Sequence, residues 1–223
     1  MIKRIVKAFS KKQKTILAGK TDNVDYNPVW LEPNQNPFGI KVLDVRKYCQ
    51  SMICWTTDKK VAKKFNKLRN SIGEKYIGKQ PDNSIGIECN LHYSHPGSGP
   101  DGPIFKATEM EDKWDIYIHN NFLYFARSWS GDLIFLTKVE FTGKEVVIGH
   151  ISANSDFVNS DKLNAISQVD YIIKSHLFKV EVPHSLPTNF QGNNTEIAEY
   201  SFSTYGRRAS FATYEDTVQL KIT

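Results

Sequence analysis

Between residues 114 and 151, four apolar-rich runs are separated by Asn120-Asn121, Ser130-Gly131 and Thr142-Gly143-Lys144. Each separator is turn chemistry, since Asn and Gly accept the backbone angles of tight hairpins and Ser bonds its own backbone. The tract therefore predicts an antiparallel meander. A two-residue turn at Asn120-Asn121 pairs His119 with Phe122 and puts Trp114, Ile116, Ile118, Leu123, Phe125 and Arg127 on one face. At the third turn, a Thr142-Gly143 loop sets Glu140 opposite Glu145, whereas a Gly143-Lys144 loop sets Phe141 opposite Val146; like charges directly opposite destabilise, so the second register is expected. Both faces of the middle strands are apolar, with Phe122, Tyr124, Leu133 and Phe135 against Leu123, Phe125, Ile134 and Leu136. A sheet of this kind is covered on both sides, and helices must supply the cover.

Residues 85–93 add a further strand, with Ile85, Ile87, Cys89, Leu91 and Tyr93 alternating with polar residues and glycine. After residue 41, helical spacing appears in four places. Asp44 can cap a short helix carrying Val45, Tyr48, Cys49, Met52 and Ile53 on one face. A helix over 58–72 puts Val61, Phe65, Leu68 and Ile72 on one stripe and Lys59, Lys60, Lys63, Lys64, Lys67 and Arg69 on the rest, and Gly73 stops it. A third begins at Ser160 or Asp161 with Leu163, Ile166, Val169, Ile173 and Leu177 as its stripe, and Thr195 can cap a short fourth through Ile197, Ala198 and Tyr200. The expected architecture is a single α+β domain over 42–223, an antiparallel meander of four to six strands packed against several helices. It is preceded by an extended linker over 21–41, rich in Pro and Asn, and a basic amphipathic helix over 1–20.

At 223 residues with 40% hydrophobic and 12% aromatic side chains, the chain can bury a full core, which excludes disorder as its main state. No apolar run approaches the roughly 20 residues of a membrane-spanning helix. Lysines interrupt any apolar segment of a signal peptide at the N-terminus, and three cysteines are too few and odd in number for a disulfide framework, so a cytoplasmic protein is expected. The net charge of +5 conceals an asymmetry. Residues 1–79 hold 18 basic and 6 acidic side chains, a balance of +12, and residues 80–223 hold 11 and 18, a balance of −7. Either the two parts neutralise each other across one interface, or the basic helices face outward toward an acidic partner.

Known chemistry-bearing motifs fail on physical grounds. Gly97, Gly99 and Gly102 match the letters of a dinucleotide-binding loop, but Pro100 removes a donor and Pro103 starts a strand where a helix must begin. Cys89 and His92 lie an odd number of residues apart on a strand and point to opposite faces, and Cys49 and Cys54 are wrongly spaced for structural zinc, so neither a metal nor a cofactor is expected. No serine sits on a nucleophile elbow, and Glu111-Asp112-Lys113 reads as a solvated entry to a strand. No catalytic residue is marked.

Two binding candidates stand out. At the hairpin end Trp114, Arg127 and Trp129 could stack as a cation–π cluster, with Asp132 pairing Arg127 or orienting the turn. The other is the basic face of the 58–72 helix, with Lys60, Lys63, Lys64 and Lys67. Arg207-Arg208 has a status similar to the hairpin-end cluster, its structural alternative being a solvated basic turn. The expected function is non-catalytic binding of another protein inside the cell, the partner being undefined. One alternative is a small hydrolase with a concave pocket where several of His92, His95, His119, Asp115 and Arg127 converge; another is a weak binder of nucleic acid or anionic surfaces through the basic third.

Overall fold

The computed structural model describes residues 26–94, 99–218 and 220, together with the backbone of 15–17. Strands β1 (Thr15–Leu17), β2 (Val29–Leu31) and β3 (Val42–Asp44) precede a short helix α1 (Arg46–Ser51), which runs directly into β4 (Met52–Cys54) and then α2 (Lys59–Arg69). The strand-rich centre supplies β5 (Ser84–Ser94), β6 (Gly102–Phe105), β7 (Trp114–His119), β8 (Phe122–Arg127), β9 (Leu133–Lys138), β10 (Glu140–Thr142) and β11 (Glu145–Asn154). Helices α3 (Ser155–Val158) and α4 (Lys162–Ile172), strand β12 (Pro183–Ser185), helix α5 (Asn194–Tyr205) and strand β13 (Phe211–Thr213) complete the order.

The meander is the middle of a seven-stranded antiparallel sheet, one strand more than the upper expectation, because β5 pairs along the length of β11 and β6 adds to β7. Strands β9 and β10 run in succession along the other edge of β11. Asn120 and Asn121 adopt φ of 52° and 60°, the conformation a tight hairpin demands, and His119 faces Phe122 as expected. Gly143 (φ 63°) opens the third turn, Phe141 faces Val146, and Glu140 sits opposite Val147 instead of Glu145. A second sheet of order β12-β13-β3-β2 joins the two ends of the described chain, parallel only between β12 and β13.

Both faces of the large sheet are covered. The main core packs Trp114, Ile116, Phe125 and Phe135 with Val169 and Ile172 of α4 and Ile197, Ala198 and Phe202 of α5. On the opposite face Tyr117, Tyr124, Ala126, Leu133 and Leu136 gather around Tyr76, which lies in a 3-10 turn after α2. Asp58 caps α2 by accepting from the Lys60 and Val61 amides, and Phe65 and Leu68 are buried. The helix ends at Arg69, three residues early, so Ile72 falls off the stripe and is exposed. Gly73, with φ of 89°, brings the backbone against the ring of Tyr117, where any Cβ would collide. Gly73→Ala is expected to destabilise the protein by about 2 kcal/mol, from left-handed strain plus overpacking, read as a lower urea midpoint.

Several local expectations are corrected by tertiary context. Helix α4 carries no single stripe: Leu163 is exposed, while Asn164, Ser167, Gln168 and Asp170 are buried beside Val169 and Ile172 because the helix runs through the interior. It continues as a π-helical turn over Ile173–Leu177. Asn193, not Thr195, caps α5, in a reciprocal box with Glu196. In α1 the face of Val45, Cys49 and Met52 is buried, but Ile53 is exposed because the chain has already become β4. The described part of the expected linker is held in the second sheet, where Trp30 donates to Asn194 Oδ1 and Thr213 donates to Lys41 O. The amphipathic helix expected over 1–20 lies outside the described residues except at β1, which is extended and pairs with β4.

Candidate functional site

At the end of the β7–β8 hairpin, Trp114 and Arg127 are cross-strand neighbours, as their register predicts. The guanidinium lies 4.8 Å from the Trp114 ring and 5.6 Å from Phe157. Arg127 donates to Thr204 O (3.1 Å) and Ser203 O (2.9 Å), and Trp114 Nε1 donates to the same Thr204 O (2.8 Å). The pair thus closes the carbonyl end of α5, where the helix dipole is negative. Burial pulls the guanidinium down to about 10, which still leaves it charged at neutral pH. Asp132 does not pair with the guanidinium: its carbonyl accepts the Arg127 amide and its side chain is exposed. The stack is therefore an internal clamp, with Trp114 fully buried.

Trp129 turns away from that stack. Its Nε1 donates to Met110 O, and its ring packs near Phe65 of α2. Between Trp129 and Phe202 lies the amine of Lys113, 5.2 and 4.4 Å from the two ring centroids. Lys113 and Glu111 are both only 6% exposed, so the expected solvated strand entry is in fact interior. Glu111 Oε1 accepts the Cys54 amide at 2.7 Å and lies 3.7 Å from Arg207, which also pairs with Glu109. Gly206 (φ 70°) makes this possible by passing directly against the Glu111 carbonyl, where a Cβ has no room. Arg207 is accordingly an ion-pair anchor and not a free basic turn.

The lysines of α2 behave in the opposite way. Lys59, Lys60, Lys63, Lys64, Lys67 and Arg69 are all exposed, and none has a carboxylate within ion-pair distance among the described residues. Lys75 lies over Tyr76 on the same side, and its pKa is lowered by burial and by the neighbouring charges of Lys64, Lys79 and Lys106. The acidic excess of residues 80–223 is not used to neutralise this face.

The described residues of the hydrolase alternative do not converge. His92 is exposed on β5 beside Asn90 and Glu145, and His119 bonds Ile72 O. Asp115 is consumed by Lys106 (2.8 Å), Tyr117 and the Ala107 amide, on the sheet face opposite to Arg127. His95 lies outside the described residues. A surface cavity of about 170 Å³ is lined by Arg46, Ser175, Lys179, Glu181, Arg207 and Arg208, but Arg46 is already tied to Asp44 and Glu181. Among the described residues no three His, Cys, Asp or Glu side chains gather as a metal ion requires.

Fold and surface together define an α+β domain with an internal Arg–Trp clamp and an outward lysine helix. No family model matches the chain, and no curated protein and no solved structure matches it. Among the described residues no helix is long and apolar enough to cross a membrane.

Proposed function

We propose that this is a non-catalytic binding protein whose contact surface is the lysine face of α2, and that its partner is a protein with an acidic surface. The observation that carries the reading is the outward, uncompensated set of Lys60, Lys63, Lys64 and Lys67. Exposed like charges on one helix repel one another and add nothing to stability, while they raise the rate and selectivity of encounter with an opposite charge. The Arg127 and Trp114 pair supports the surface from within by fixing α5, and Trp129 connects the hairpin end to α2 through Phe65. A reducing, cytoplasmic setting accords with the three free thiols.

The test compares wild-type protein with the quadruple variant Lys60→Glu, Lys63→Glu, Lys64→Glu and Lys67→Glu. Binding of a poly-glutamate chain, of duplex DNA and of RNA is titrated at about 0.15 M salt, where the Debye length is about 8 Å. Poly-glutamate binding is expected to weaken about tenfold or more in the variant, four exposed contacts each being worth about 0.3–1 kcal/mol. Unchanged poly-glutamate binding in the variant defeats the assignment to α2. Nucleic acid bound more tightly than poly-glutamate at this salt replaces the protein partner with a nucleic-acid one.

A further inference from the structure

Lys113 is buried without a counter-ion: no carboxylate lies within ion-pair distance of its amine among the described residues. Its polar contacts are Met110 O at 3.2 Å and Cys54 Sγ at 3.4 Å. The ring faces of Trp129 and Phe202 enclose the rest of the amine. A lone ammonium in such surroundings is costly, and burial accordingly lowers the lysine pKa toward the free amine, the form that is a nucleophile. Cys54 is half-buried on β4, held by its amide to Glu111, and among the described residues its only sulfur contact is this amine; burial raises its thiol pKa and Lys113 offsets part of that rise, so loss of the thiol proton depends on the amine. The other two thiols differ: Cys49 is fully buried against Ala198 O, and Cys89 is half-buried with Ile148 O as its sulfur contact and no amine beside it among the described residues.

We propose that Cys54 and Lys113 form a peroxide-responsive covalent switch, in which the oxidised sulfur of Cys54 is captured by the amine of Lys113 as a reversible S–N link. In the first step a peroxide transfers one oxygen to Sγ. The O–O and S–H bonds break, an S–O bond forms, one water leaves, and the sulfur gives up two electrons to the peroxide. The Lys113 amine, at 3.4 Å, is placed to take the thiol proton during this attack and to pass it to the departing hydroxide, which leaves as water and returns Nζ to the free amine. In the second step Nζ attacks the sulfur: the N–S bond forms, the S–O bond breaks, and the departing hydroxide takes an amine proton as a second water. Two added thiols reverse the link, restoring the thiol and the amine and leaving one disulfide between the added thiols. The closed link takes the buried amine out of its proton equilibrium and ties β4 to the start of β7. It also protects Cys54 from further oxidation.

The experiment treats the full-length protein with hydrogen peroxide and maps the peptides by mass spectrometry before and after dithiothreitol. In wild type, the peptides carrying Cys54 and Lys113 are expected to be joined, lighter by two hydrogens, uncut by trypsin at Lys113 and released by dithiothreitol. Cys89 in the same sample serves as the comparator and is expected to proceed to sulfinic acid. Lys113→Arg and Lys113→Met, checked for folding by circular dichroism, are expected to send Cys54 along the Cys89 course several-fold faster than in wild type. The proposal is overturned if wild-type Cys54 stays a free thiol, if it reaches sulfinic acid alongside Cys89, or if a Lys113 variant shows the same loss of two hydrogens. Should both variants unfold, the wild-type map alone decides.

Discussion

Replacing Arg127 with Met is expected to destabilise the protein by about 3 kcal/mol, since hydrogen bonds to a charged group are worth about 1.5–3 kcal/mol each and two are lost. The substitution keeps an unbranched apolar stem over Trp114, so the loss reports on the guanidinium and not on packing. Ser203 O and Thr204 O close α5, and among the described residues the first has no other donor while the second keeps Trp114 Nε1. Removing Arg127 leaves the part-buried end of the helix with the Ser203 carbonyl short of its donor. The desolvation cost of the guanidinium is recovered at the same time, which keeps the net effect below that of breaking a buried pair of full charges. Lys at this position retains the charge with a point donor in place of the fork, and about half the loss is expected. Urea titration followed by tryptophan fluorescence measures both variants. A change under about 1 kcal/mol for Met would show that water reaches the helix end and that the clamp is not structural.

Acidification is expected to cost more. His184 is fully buried, with Nε2 at 3.0 Å from Ser201 Oγ and the rings of Tyr171 and Tyr205 packed on it, and burial pulls it down to about 4. His176, in the π-helical turn, bonds Ser175 through Nδ1 and leaves Nε2 without a partner, and burial followed by the charges of Arg208 and Arg127 pulls it down to about 3. Both values lie below the ordinary histidine value of about 6.5. The unfolded chain therefore binds protons that the folded one refuses, so the contribution is intact above about pH 6.5 and is lost as the pH falls toward the folded values. Each histidine removes about 1.4 kcal/mol per pH unit in that window, and the two together about 5 kcal/mol between pH 6 and pH 4. That is comparable with the whole stability of many domains. Asp170 opposes the trend: burial raises its carboxyl despite Lys174 and Tyr93, so it favours the folded state as acid protonates it, but only within the carboxylate range. Urea titrations at pH 7, 6 and 5 should show the decline, and His184→Gln should halve its slope. A decline half as steep would mean that one ring has solvent access, and a stability flat from pH 7 to 5 that both have.

The two charged positions of largest consequence were read differently along the chain. Arg127 belonged to a hairpin whose register follows from the Asn-Asn turn, so its neighbour Trp114 was legible. Its acceptors were not, because Ser203 and Thr204 are brought to it by α5 from the far end of the chain. Asp132, close in sequence, was the natural partner to assume, and the turn points it to water instead. The Lys113 and Cys54 contact had no local signal at all. Glu111-Asp112-Lys113 has the composition of a solvated entry, and only the packing of β4, Trp129 and Phe202 around it makes the lysine interior. The same holds for α4, whose polar residues Asn164, Gln168 and Asp170 break the apolar spacing yet lie inside.

What the amino-acid order determined by itself was whatever depends on near neighbours. The hairpin turns, the strand alternation over 85–93, the cap and lysine face of α2 and the α+β class all rest on steric and periodic rules acting over a few residues. Tertiary structure alone decided which charges are neutralised and which are not. Arg127 is spent on a helix end, Lys113 is left facing a thiol, and the lysines of α2 are left facing water. Burial and counter-charge are properties of the space around a group, and that space is built from segments as far apart as 54, 113 and 204 in the chain.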